Sequence, residues 1–226
     1  MAEVDVTLSR STARSQVRDG VIAAAARTVA EDGLAGLTVR RVAERVNAST
    51  KVIYTLFGGK DGLMEAVFVG AFDQLSAEMA GPAALPNPPD RVLACARAYR
   101  LFALAHPDLY SVMFGEASAG FHPSLEARRH GWATFKAMRN GLIACRPEMT
   151  EPEADFAMRA VWAAMHGVVS LELRDILGPA EMSDDLLVVS VSAICARFGI
   201  ELPVPTAASF QSTSEQTTGP RRPRRR

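Results

Sequence analysis

The chain reads as an all-α protein, a small three-helix unit at the N-terminus followed by a larger helical bundle. Three observations predict this. Apolar residues recur at steps of three and four along most of the 226 residues. The two-residue alternation of half-buried strands is scarce, and Pro and Gly punctuate the chain at intervals that suit helices.

A long first helix is expected from Thr12 to Glu31, with Val17, Val21, Ala24, Ala25, Thr28 and Val29 on its buried stripe. Asp32-Gly33 closes it with a residue that tolerates left-handed backbone. Thr38 caps a second, short helix whose inward face is Val39, Val42, Ala43 and Val46, ending at Asn47. Ser49 caps a third, with Val52, Ile53, Leu56 and Phe57 inward, and Gly58-Gly59 stops it at once. The fourth runs from Lys60 to Met79, with Leu63, Val67, Phe68, Ala71, Phe72 and Leu75 on its apolar side, until the stretch GPAALPNPP breaks it.

Further helices are expected at 89–105, 107–115, 122–145, 151–178 and 183–199, set apart by Pro107, Gly120, Pro147, Pro152 and Gly178-Pro179. After Pro203 the chain is polar and Pro-rich, too poor in apolar side chains to offset the entropy of ordering. The division that results is a flexible arm at 1–13, a helix-turn-helix unit at 14–60, a helical regulatory and dimerisation domain at 61–203, and a disordered basic tail at 204–226.

Composition narrows the function. No run of eighteen apolar residues occurs and the N-terminus is polar and mixed in charge, so neither a membrane span nor a secretory signal is expected, and the cytoplasm is the expected compartment. Cys95, Cys145 and Cys195 form no CxxC pair, and His106, His122, His130 and His166 show neither HxxxH nor HExxH spacing. A disulfide framework, a metal site and any cofactor are therefore not expected. Nucleophile elbows, phosphate loops and paired carboxylates are absent as well, which argues against an enzyme.

Charge is balanced overall but unevenly placed. Residues 1–60 carry nine Lys/Arg against six Asp/Glu, residues 61–203 carry eleven against eighteen, and residues 204–226 carry five against one. A basic head on an acidic body meets a polyanion through the head alone.

The stretch LTVRRVAERVNASTKVIYTLFGGKDGL, Leu37 to Leu63, holds the informative constellation. Two short capped helices joined by a tight turn make a helix-turn-helix, in which the first buttresses and the second enters the DNA major groove. Ala43 is small where the two cross, and Asn47 stands where the turn asks for positive φ. With its apolar positions inward, the second helix leaves Thr50, Lys51, Tyr54 and Thr55 outward. The N-termini at Thr38 and Ser49 suit backbone phosphates, and Arg40, Arg41 and Lys60 add charge at the rims.

Thr38, Val42, Ala43, Ala48, Ser49, Ile53, Tyr54, Phe57, Lys60 and Leu63 fit the pattern T-x-x-x-[IV]-A-x-x-x-G-[VA]-S-x-x-[TA]-[LIV]-Y-x-x-F followed by K-x-x-L. The segment thereby resembles the TetR family of bacterial regulators, closely over about residues 14 to 64. Asn47 replaces the usual turn glycine, and Lys51 and Val52 replace the usual small residues, so no operator sequence carries over from a relative. The resemblance implies that Tyr54 and Lys60 hold phosphates and that the first residues of the reading helix touch bases. It also implies a homodimer through the last two ordered helices, 151–178 and 183–199, a pseudo-palindromic double-stranded operator, and repression relieved by a small apolar ligand.

Trp162-Ala-Ala-Met-His166-Gly167 resembles the W-x-x-x-H-G signature of one group of TetR-like C-terminal domains. Trp162 and His166 share a helix face, and Gly167 would admit a neighbouring helix. A ligand cavity bordered by Trp162 and His166 is one reading, and a satisfied core histidine under tryptophan is the other. The further candidate lining is Phe102, His106, Tyr110, Met113, Phe114, Trp132, Phe135, Met138 and Met165. The Arg221-Arg222 and Arg224 to Arg226 cluster is either a flexible arm on phosphates or a solvated run.

Overall fold

A computed structural model describes residues 2–114 and 120–204, with side chains from residue 14 onward. Its elements are α1 (Ala2–Gly36), α2 (Val39–Arg45), α3 (Thr50–Phe57), α4 (Lys60–Ala83), α5 (Pro88–Ala105), α6 (Pro107–Phe114), α7 (Leu125–Ala133), α8 (Lys136–Cys145), α9 (Glu151–Glu172) and α10 (Ala180–Arg197). The all-α class expected from the sequence is the one observed, with no strand among the described residues. The tail beyond residue 204, with its arginine cluster, lies outside the described residues, as do the side chains of the N-terminal arm.

Local chemistry explains most of the boundaries. Thr38 Oγ1 accepts from Arg41 N at 3.2 Å, Ser124 Oγ from Ala127 N at 3.1 Å, and Thr150 Oγ1 from Glu153 N, so α2, α7 and α9 each begin on a hydroxyl cap. Pro88 and Pro152 stand in the first turns of α5 and α9, where a missing N–H costs no helical bond. Asn47 ends α2 in the left-handed region, φ 51°, and Ala48 N reaches back to Ala43 O at 2.9 Å. Asp175, φ 56°, ends the last turns after α9 the same way, with Ile176 N bonded to Leu171 O.

Five expectations need correction. Helix α1 begins at Ala2 rather than Thr12, so the span expected as a flexible arm is helical. Gly33 does leave helical geometry, φ 68° and ψ 179°, yet helical structure resumes to Gly36, so α1 kinks there. Helix α4 runs through Pro82 to Ala83, because a proline in the last turn has little ladder left to break. The helix expected over 122–145 is two, since Thr134 and Phe135 bond back only three residues, to Gly131 and Trp132. Thr134 Oγ1 there faces Phe72 O of α4 at 3.3 Å, giving the irregular turn a buried partner. The last helix before Gly178 ends at Glu172 rather than 178, and α10 begins at Ala180 rather than 183.

Two apolar clusters result. The head cluster unites α1, α2, α3 and the start of α4 through Val21, Ala25, Val29, Leu37, Val42, Ile53, Leu63 and Val67, and it takes Val112 from α6. The body cluster joins α4 to α10 around Phe72, Leu75, Tyr99, Phe102, Met138, Met158, Met165 and Val191. Arg100, buried on α5, donates to Glu172 Oε2 of α9 at 2.7 Å and to Ala180 O at 3.0 Å, tying three helices at the far end of the body.

Candidate nucleic-acid interface and ligand cavity

On α3, Ile53 is fully buried against α2 and α4, while Thr50, Lys51, Tyr54 and Thr55 are exposed, Tyr54 by 57%. The helix is held to two turns by Ser49 before it and by left-handed Gly58, φ 74°, after it. Ser49 has the extended backbone of a cap, but its hydroxyl makes no cap bond. It is therefore uncommitted beside the exposed N-terminus of the helix, where N–H groups favour an anion.

The rim charges are more engaged than their exposure suggests. Arg40 pairs with Glu44 at 2.9 Å and Arg41 with Asp32 at 2.7 Å, while Lys60 Nζ donates to the Leu34 carbonyl at 2.8 Å. Lys60 thus also fastens α4 to the end of α1. Val52 and Leu56, expected inward, and Val17, expected on the buried stripe of α1 but exposed, instead flank an open apolar groove between Arg14 and Lys51. Only one side of α3 is covered by the head, and periodicity alone does not tell which flank that is.

In the body, Phe68 and Phe72 of α4, Met113 and Phe114 of α6, Arg128, Gly131 and Trp132 of α7, Phe135 just before α8, and Trp162 of α9 line an open cavity of about 140 Å³. Ring centroids 5.5 Å apart for Trp132–Trp162 and 5.7 Å for Phe114–Trp162 and Phe135–Trp162 make its wall continuous. Exposed Arg128 and Trp132 form the mouth, and buried Phe72 and Phe135 lie at depth. Gly131 permits this closeness, because a Cβ there would stand 3.0 Å from the Phe72 ring and push it back by a few tenths of an ångström.

Of the residues expected to line a cavity, Met113, Phe114, Trp132, Phe135 and Trp162 do so. His166, Tyr110, Phe102, His106, Met138 and Met165 do not. Met138 and Met165 are fully buried core, Phe102 packs on His106, and His106 accepts from the Gln74 amide at 3.0 Å as it closes α5. His166 sits behind Phe114 and Trp162, 5.2 and 5.8 Å between ring centroids. There Tyr110 Oη lies 2.7 Å from its Nδ1, Tyr99 Oη 3.1 Å from Tyr110 Oη, and Ser170 Oγ 3.3 Å from Nε2.

Burial holds the His166 pKa below its ordinary value and raises those of Tyr99 and Tyr110, so the imidazole stays neutral and both phenols stay protonated. A consistent proton arrangement has Tyr110 donating to Nδ1 and Nε2–H donating to Ser170. Of the two readings of His166, the structure supports a satisfied histidine under tryptophan. Gly167 faces open space instead of a neighbouring helix.

Phe68, Phe72, Arg128 and Gly131 were not foreseen. The signal available was Arg128-x-x-Gly131-Trp132, a cation and a bare backbone position on one face of a helix otherwise carrying bulky groups.

Residues 21–67 match the family model of bacterial regulatory proteins of the tetR family, and residues 92–194 match that of the tetracyclin repressor-like C-terminal domain. The chain belongs to the TetR family. A helix-turn-helix-type transcriptional regulator of Mycobacterium tuberculosis is 22% identical over 206 residues, spanning 77% of this chain and 88% of that one. The regulator BetI of Burkholderia thailandensis is 47% identical over 57 residues, 25% of this chain and 27% of its own. Among solved structures, a TetR family transcription regulator from Marinobacter aquaeolei shares the fold of this TetR-family protein with a TM-score of 0.68 at 14% identity, covering 81% of this chain and 97% of that one. The regulator FadR of Bacillus subtilis, solved in complex with stearoyl-CoA, does so with a TM-score of 0.60 at 17% identity, over 76% and 97% of the two chains.

Proposed function

We propose that this TetR-family transcriptional regulator is a non-enzymatic, cytoplasmic repressor that binds a pseudo-palindromic operator as a homodimer and leaves it when a small molecule fills the aromatic cavity. The observation that carries the reading is the exposed row of Thr50, Lys51, Tyr54 and Thr55 on a two-turn helix fixed from behind by Ile53. A helix so placed fits a major groove, where Lys51 reaches base edges and Tyr54 and the uncommitted Ser49 hydroxyl reach phosphates.

Dimerisation is supported by an apolar stripe along the outer faces of the last two helices. Met182, Leu186, Val189, Ala193 and Ala196 follow one another at steps of three and four on α10, all exposed, and exposed Phe156, Ala163, Gly167 and Leu171 share a face of neighbouring α9 at steps of seven, four and four. A two-fold axis through this face would set two α3 helices about 34 to 36 Å apart, one turn of B-DNA. Gly167, open within one chain, would let two backbones approach closely.

Coupling has a physical route. Helix α4 carries Phe68 and Phe72 into the cavity and Leu63, Met64 and Val67 into the head cluster. Helix α6 does likewise with Met113 and Phe114 on one side and Val112 on the other. A ligand that binds best when these helices shift would move the heads off groove spacing, to the extent of its differential affinity for the two states.

The test is a retention assay on duplexes from the gene's own upstream region, titrated with salt. Selective retention that falls steeply with salt is expected, each neutralised phosphate contributing a slope of about 0.9. Lys51→Ala should relax base preference, whereas Tyr54→Phe and Lys60→Ala should weaken all sequences alike. Equal affinity in all three variants would refute the assignment of α3.

A further inference from the structure

From the side chains around the body cavity we infer the chemical class of its ligand: a single-ring aromatic carboxylate, its ring among the Phe and Trp rings and its carboxylate on Arg128. The inference rests on reading this cavity as the sensor site.

Size comes first. About 140 Å³ is close to the roughly 150 Å³ that admits one benzene ring. Shape follows from the walls, because six of the nine lining residues are Phe or Trp. Edge and face contacts from so many rings favour a flat, polarisable guest.

Polarity decides the class. The lining side chains include no oxygen and no carboxylate, and their hydrogen-bonding groups are the guanidinium of Arg128 and the indole N–H groups of Trp132 and Trp162, all donors. Trp162 Nε1 is buried near the Tyr99 hydroxyl and makes no well-formed hydrogen bond. A donor-only set calls for a guest that offers acceptors. A walled set of aromatic rings could also hold an organic cation, but a guanidinium among the lining residues opposes that charge. No Asp or Glu pairs with Arg128 among the described residues. An arginine fork matches a carboxylate through two parallel N–H···O bonds.

The molecule carries its own reporter. Its two tryptophans, Trp132 and Trp162, both line the cavity, so intrinsic fluorescence reads occupancy directly. The full-length protein is titrated with benzoate, benzyl alcohol and benzyltrimethylammonium, three guests with the same ring and different charge. Saturable quenching by benzoate is expected, about tenfold tighter than by benzyl alcohol, a charged hydrogen bond being worth somewhat more than a neutral one. Arg128→Gln should bring benzoate and benzyl alcohol to the same affinity, and Arg128→Lys should restore part of the difference. Arg128 is exposed, so these variants should keep the wild-type far-ultraviolet dichroism and melting temperature. Trp132→Phe leaves Trp162 as a second, independent reporter.

Preference for the neutral or cationic guest, no saturable response to any of the three, or an Arg128→Gln protein that still prefers benzoate would overturn the assignment. Operator retention is measured on the same preparation without guest. Retention together with the wrong guest preference sinks the ligand class and leaves the regulator standing. Benzoate binding without retention does the reverse.

Discussion

The head and the body are built from the same secondary structure, but only the body adds aromatic and methionine side chains in number to an aliphatic core. The head cluster is almost entirely Val, Ala, Leu and Ile, with Val21, Ala24, Ala25, Val29, Leu37, Val42 and Ile53 each fully buried. These short, stiff side chains fill the space between closely crossing helices and hold α3 in one orientation. The body cluster adds Phe, Tyr and Met to those aliphatic types, and around Gly131 its rings meet without filling the space between them. A rigid reading edge and an adaptable interior are thus separated by residue choice within one fold class. Met and aromatic side chains suit the second task because they repack around a guest at modest cost.

That contrast can be broken from either side. The largest expected effect is in the body, where Arg100→Ala leaves Glu172 half-buried without its cation. A loss of about 3 to 5 kcal/mol is expected by chemical denaturation, as for other buried ion pairs that lose one partner. Restoring a charge with Arg100→Lys should recover part of it. In the head, Ile53→Ala removes the side chain that seats α3, at a cost of about 2 to 4 kcal/mol. If the head is as tightly packed as described, operator affinity should collapse in this variant while cavity fluorescence stays as in the wild type. Equal damage to both readouts would mean that the regions do not pack independently.

A smaller effect is expected at the turn between the two short helices. Asn47→Ala places a Cβ-bearing residue without a local polar partner at φ 51° and should cost about 1 kcal/mol, whereas Asn47→Gly should be neutral or stabilising. The smallest effect concerns pH. Because burial lowers the His166 pKa below 6.5, the unfolded chain takes up its proton first as pH falls. The stability this neutral imidazole provides is complete above about pH 6.5, declines as pH drops toward the lower native value, and levels off beneath it. His166→Gln should flatten that slope in denaturation curves measured between pH 7 and about pH 5, and it leaves the cavity wall in place.

Much of the head was legible in advance because its signals are local. Caps, left-handed stops and i, i+4 spacing depend on a few adjacent residues, so Thr38, Asn47 and Gly58 announce their roles. Thr50, Lys51, Tyr54 and Thr55 are exposed for the same reason, being opposite Ile53 on a short helix. The flank of α3 that α1 leaves uncovered was not legible, and Val52 and Leu56 were misplaced accordingly. In the body, large apolar residues at helical spacing fit both a filled core and a cavity wall. Met138 and Met165 turned out to be core, Phe114 and Trp162 wall, and what separates them is the relative placement of four helices. Arg128 escaped notice because a surface arginine ordinarily needs no explanation. His166 drew attention by its rarity, yet Tyr110 and Ser170 already satisfy it.

The thiols follow from burial as well. Cys95 is pushed up to about 11 and Cys195 to about 12 by loss of solvent, so little thiolate forms at neutral pH at either position.

Helix α6 places Tyr110 and Met113 among the body's side chains and Val112, between them, among the head's. A peg seated in two sockets cannot be withdrawn from one without loosening the other. Cutting the chain to isolate its N-terminal third would therefore leave an apolar wound where Val112 had been, together with the absent Leu63, Met64 and Val67 if the cut fell before them. Fragments made for crystallography or for domain grafting should retain α6, or replace Val112 with a surface designed to do without it.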